Sequence, residues 1–127
     1  MLVVSRFTVA ALELGGFRQE AEAALTALGE RPGFLRGRVA RAVDDESTWL
    51  LVSEWESVGA YRRALGGYDV KVHATPVVAR SHDEPSAFED LLVLDAAGAR
   101  RTASDRARDA DTVRVGEAAG PTRSADI

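Results

Sequence analysis

The chain has no cysteine. Disulfides, thiolate nucleophiles and cysteine-ligated metals are therefore excluded, and a reducing compartment suits the composition. Asparagine is missing as well, and histidine occurs only at His73 and His82. The spacing of nine residues between the histidines matches no recognised ligand pattern, so no metal site is expected from them together with Asp83. No run approaches the roughly 18 apolar residues of a membrane helix, and residues 1–6 hold no apolar stretch of signal-peptide type. The expected location is the cytoplasm. The formal charge of -4 carries no cluster of Lys and Arg that would mark a nucleic-acid partner. Gly15-Gly16 and Gly66-Gly67 read as turn and cap glycines rather than phosphate cradles, and no Gly-x-Ser-x-Gly elbow is present.

What remains is a chain of 127 residues, room for one domain with one modest core. Composition breaks near Leu94-Asp95. Residues 1–95 are expected to form the domain and residues 96–127 a flexible polar tail, whose only large apolar residues are Val113, Val115 and Ile127. Arg100, Arg101, Arg106 and Arg108 in that tail read either as a weak docking patch or, with Asp105, Asp109 and Asp111 interspersed, as a solvated segment.

Within the domain, Leu2–Val9 reads as a strand rich in β-branched residues. Phe17, Ala21, Ala24, Leu25 and Leu28 recur at helical spacing, and Pro32-Gly33 makes the following turn. Phe34–Val43 and Thr48–Glu56 form a hairpin across Asp44-Asp45-Glu46-Ser47. Ser57 caps a second helix that presents Val58, Tyr61 and Leu65 on one face. Pro76 divides Tyr68–Arg80 into short helical turns, and Ala87–Leu94 supplies a fourth strand. The order β-α-β-β-α-β is that of a ferredoxin-like α+β fold with a four-stranded antiparallel sheet.

Two helices on one side of such a sheet leave its other side bare. Leu2-Val3-Val4, Trp49-Leu50-Leu51-Val52 and Leu91-Leu92-Val93-Leu94 place apolar side chains on both sides of the pleat. A homodimer packed sheet to sheet is the expected remedy for so large an apolar patch. A tail folded back over the sheet is the alternative, and its lack of large apolar residues makes it poor cover.

The segments Arg31-Pro32-Gly33-Phe34-Leu35-Arg36-Gly37, Leu51-Val52-Ser53-Glu54-Trp55-Glu56-Ser57 and Ala60-Tyr61 resemble the antibiotic-biosynthesis-monooxygenase superfamily over about the first 95 residues. The resemblance implies a dimeric α+β barrel. It also implies a small aromatic, hydroquinone or polyketide-like substrate oxidised with O₂ and no cofactor. Quinone-forming members line their site with a Trp and a Tyr six residues later, positions held here by Trp55 and Tyr61. Their Asn, four residues before the Trp, and Arg, twenty after it, are replaced by Leu51 and Thr75. The catalytic candidates are His73, Tyr61 and Trp55, with Phe7, Trp55 and Leu51 against the substrate. The haem-degrading branch offers an alternative in which His73, eighteen residues after Trp55, ligates haem iron. That branch also uses a second-helix Trp and a first-strand Asn, where this chain has Ala64 and Phe7. A ligand-binding dimer without activity is a third reading.

Each candidate also has a plainer role. Trp55 and Tyr61 suit a core, and a lone His73 or His82 suits a surface. Arg6, Arg36 and Arg38 need a carboxylate such as Glu54, a wet lumen or an anionic ligand.

Overall fold

The computed structural model describes residues 1–102. Strand β1 (Leu2–Thr8) leads through a single 3-10 turn, Ala11–Glu13, into helix α1 (Leu14–Gly29). Strands β2 (Phe34–Ala42) and β3 (Asp45–Trp55) form a hairpin, and helix α2 spans Val58–Ala64. A π-helical turn, Val70–Ala74, runs into the short helix α3 (Thr75–Val78), followed by strand β4 (Ala87–Phe88). Strands β5 (Leu92–Asp95) and β6 (Gly98–Arg101) pair only with each other. The main sheet has the order β2-β3-β1-β4 with every neighbouring pair antiparallel, which is the ferredoxin-like α+β arrangement expected from the element order.

Local chemistry explains the element ends. Helix α1 buries Phe17, Ala21, Ala24, Ala27 and Leu28, a stripe at helical spacing whose alanines let the helix lie close to the sheet. Ser57 caps α2, its Oγ accepting from the Ala60 backbone N–H at 3.0 Å. Gly33 has a φ of +88°, and a Cβ there would lie 2.5 Å from the Ala60 Cβ. Only glycine therefore allows the Pro32-Gly33 turn to rest on α2.

The pleat sorts the side chains cleanly. Val3, Ser5 and Phe7 of β1 and Trp49, Leu51, Ser53 and Trp55 of β3 are buried on one face. Leu2, Val4, Leu50 and Val52 are only half-buried on the other. The charges expected to trouble that face find partners at its edges: Arg6 Nε lies 3.3 Å from Glu84, and Arg36 Nε lies 2.7 Å from Glu54. Arg38 is exposed.

The expected fourth strand, Ala87–Leu94, is broken in two. Only Ala87 and Phe88 pair with β1, opposite Val3 and Leu2. Phe88 faces the first residue of β1, so the antiparallel chain beyond it runs past the start of that strand and has none alongside. It pairs instead with β6, leaving Leu91, Leu92 and Leu94 exposed. The domain boundary expected after Asp95 falls at the turn of that hairpin, where Asp95 pairs with Gly98. The tail from residue 103 to residue 127 lies outside the described residues.

Candidate active site

Side chains of the covered sheet face and of the helices above it form two aromatic groups. At the end of β3, the Trp55 ring meets Phe34 edge-on at 5.3 Å and Tyr61 at 5.4 Å. The Trp55 indole N–H donates to Ser53 Oγ at 2.8 Å, which satisfies it inside the core. The sequence puts Tyr61 beneath Trp55 for a local reason. Strand β3 ends at Trp55, Ser57 caps the next helix, and Tyr61 falls on the inner side of its first turn. Burial pushes the Tyr61 phenol above its ordinary pKa. It therefore remains a neutral hydrogen-bond donor rather than a base.

Six residues back along β3, about 20 Å at strand rise, Trp49 begins the second group. Phe17 stands between Phe7 at 4.9 Å and Trp49 at 5.4 Å. The Trp49 indole donates to the Glu46 carbonyl at 2.9 Å. Guanidinium groups lie over this end: Arg41 5.5 Å above the Trp49 ring, and Arg80 5.3 Å above Phe17 while bonded to Glu20 at 3.0 Å.

The structure thus brings Trp55 and Tyr61 into contact, puts Leu51 between the two groups, and sets Phe7 in the second. His73 is not in this layer. It is exposed on the π-helical turn, whose Val70 and Ala74 face the core. Thr75 is half-buried at the start of α3. His82 is exposed, with Nε2 2.8 Å from Thr8 Oγ1. The sequence reading missed Ser5 and Ser53, both buried on the covered face. Their signal was the alternation Val3-Ser5-Phe7 and Leu51-Ser53-Trp55, which puts each serine in phase with large apolar neighbours.

An exposed His73 with Lys71 and Val72 exposed beside it does not fit an enclosed haem. Among the described residues, no His, Asp and Glu side chains gather in a group of three or more able to hold a metal ion. No helix among them is long and apolar enough to cross a membrane.

Comparison with known proteins gives this geometry a context. SnoaB from Streptomyces nogalater, a cofactor-independent oxygenase, is 28% identical to the chain and superposes with a TM-score of 0.57, covering 71% of this chain and 94% of SnoaB. Proteins from Nitrosomonas europaea and Deinococcus radiodurans are 14% and 15% identical, each with a TM-score of 0.54. The matches cover 66% of this chain and 87% of the first protein, and 70% of this chain and 97% of the second. At that identity the likeness shows the fold alone. No curated protein matches the chain. The family model for antibiotic biosynthesis monooxygenase matches residues 1–74, a span from β1 through α2 to the π-helical turn that includes Trp55, Tyr61 and His73, and the chain belongs to that family.

Proposed function

We propose that the protein is a cofactor-independent monooxygenase that oxidises a small phenolic or hydroquinone-type aromatic with O₂. The observation that carries this reading is the buried pair Trp55–Tyr61, one ring a satisfied indole and the other a phenol that burial keeps protonated. The likeness to SnoaB, a cofactor-independent oxygenase, supports the same class. For an anthrone-like substrate the balance is simple. The ionised substrate gives electrons to O₂, one oxygen atom becomes a new ring carbonyl, and the other leaves as water with the two hydrogens of the oxidised carbon. The substrate supplies all four electrons. The protein's part is to hold the ring in an apolar, water-poor layer and to stabilise the anion.

In this reading Trp55, Leu51 and Phe7 form the wall against the aromatic substrate, and Tyr61 donates a hydrogen bond to its oxygen. His73, on a turn whose Val70 and Ala74 face the core, takes up the substrate proton. Oxygen uptake with an anthrone tests it. The wild-type protein is expected to consume O₂ and form the quinone. Tyr61→Phe should lower kcat by about 10–100-fold, within the range for loss of one such donor. Equal rates for wild type and the Tyr61→Phe, His73→Ala double variant would overturn the assignment.

The working unit in this reading is a homodimer. Leu2, Val4, Leu50 and Val52 form an apolar strip on the helix-free face, with the Arg6–Glu84 and Arg36–Glu54 pairs beside it. Sedimentation should give twice the chain mass at micromolar concentration, and Leu50→Asp or Val52→Asp should shift it toward the single-chain value. A monomeric wild type would defeat this part of the reading.

A further inference from the structure

Two pieces of the molecule overhang the main sheet, one at each end, and their surfaces are complementary. The first is the arm formed by β5 and β6, which pair only with each other. Leu92, Leu94, Ala99 and Arg101 share one of its faces by register, and Val93 and Arg100 share the other. Leu91, Leu92 and Leu94 are each more than half exposed, and both arginines are exposed. The second is the turn of the β2–β3 hairpin. Val43 is fully exposed there beside the exposed Asp44, Asp45 and Glu46, and a hollow lined by residues 41–46 opens along it. Ser47 and Thr48 already bond to Asp45, which leaves Asp44 and Glu46 to receive a cation. Arg41, the cation of this turn, is drawn aside over the Trp49 ring.

Register keeps the two apart within one chain. Strand β1 stops at Thr8, opposite Thr48, while β3 starts at Asp45, so the acidic turn extends past the last residue of β1. Phe88 lies opposite Leu2, and the arm follows beyond the first residue of β1. Leu2 faces Glu54, which stands nine residues along β3 from Asp45, or about 30 Å at strand rise. Each strand of the arm has four residues, so the arm is only about 13 Å long. It is too short to reach the turn of its own chain.

We propose that the arm of one copy docks on the acidic turn of a second copy, with Leu92 and Leu94 against Val43 and Arg101 beside Asp44 and Glu46. The proposal rests on the homodimer read above and fixes its geometry. The two-fold axis runs across the strands, so the two sheets face each other with their strands opposed. That stacking sets the start of β1 in one copy over its end in the other. Arm and turn then coincide at both ends of the dimer, the leucines leave water, and each arginine gains a carboxylate. An axis along the strands would instead bring arm to arm and turn to turn, setting like charges together. The docked arm also borders Arg41, so the Trp49 end of the aromatic layer is closed by both copies.

Because the chain has no cysteine, introduced thiols can be joined without background. The full chain carrying Val43→Cys and Leu94→Cys is treated with a short bismaleimide at micromolar concentration, and the products are weighed by mass spectrometry. A product of two linked chains is expected. Leu94→Cys alone and Val43→Cys alone should stay single chains, since like ends lie far apart in this dimer. Linkage of Leu94→Cys to itself would overturn the proposal, because arm would then meet arm. No linkage in the double variant, or linkage closed within one chain, would overturn it as well. Sedimentation supplies an independent check on exposed residues that the fold does not need. Arg101→Glu should raise the dimer dissociation constant about 10-fold, and adding Asp44→Lys and Glu46→Lys should bring it back to within about twofold of wild type. Arg100→Glu, on the other face of the arm, should have the smaller effect. No recovery in the combined variant would overturn the charge pairing. A dimeric wild type whose thiols do not link would sink the arm and keep the sheet-to-sheet dimer, whereas a monomeric wild type would sink both. Linkage in a protein that consumes no O₂ would sustain the arm and sink the oxygenase reading.

Discussion

The two aromatic groups on the covered face use the same kinds of residue and reach opposite solutions. Around Trp55 the indole N–H is satisfied by a buried side chain, and Phe34 and Tyr61 close over the rings. Around Trp49 the N–H reaches a turn carbonyl, and the rings are topped by Arg41 and Arg80, whose charged heads stay in contact with water. One end of the layer is sealed by packing and the other is roofed by movable cations. The difference shows why fractional burial is a poor guide to accessibility here. Trp49 at 5% and Trp55 at 1% look alike, yet only the first is covered by long, flexible side chains.

Three measurements break or sharpen that contrast. The largest effect is expected at the sealed end, where Trp55→Ala should cost about 3–5 kcal/mol in urea unfolding. Trp49→Ala should cost less, because its neighbours can relax into solvent; equal losses would erase the distinction. Next is the alkaline limb of stability. The folded Tyr61 holds its proton beyond the pH at which the unfolded phenol, with a pKa near 10, releases it. Its contribution is full below that pH and is lost as pH rises, at a slope of about 1.4 kcal/mol per pH unit. Tyr61→Phe should remove that part of the slope, and an unchanged slope would place the phenol in contact with water. The smallest effect belongs to the roof. Arg41→Gln and Arg80→Gln should each cost about 0.5–1 kcal/mol, the range for a solvent-exposed cation over an aromatic ring. A loss several times larger would mean that the guanidiniums are structural plugs.

Much of this architecture was written in simple periodicities. The stripe from Phe17 to Leu28, the Ser57 cap and the hairpin across the acidic turn all depend on contacts within a few residues, which sequence order records directly. Strand β4 was not legible to its end, because its length is set by where β1 begins and not by the apolar run Leu91–Leu94. His73 illustrates a related limit. Counting eighteen residues from Trp55 takes no account of the π-helical turn, whose wider winding changes which residues face inward. The serines were overlooked for a third reason. A hydroxyl in a strand looks solvent-facing until its phase is compared with Phe7 on one strand and Trp55 on the other.

The corner between β3 and α2 has a mechanical consequence. Only Glu56 and Ser57 separate strand from helix, the Ser57 hydroxyl pins the first helical amide it can reach, and Gly33 presses its turn against Ala60 from below. A joint so short and so braced has almost no angular play. Trp55 and Tyr61 consequently travel as one stiff bracket, and changes of length or sequence elsewhere along the chain can reshape the surroundings of the two rings without altering the angle between them.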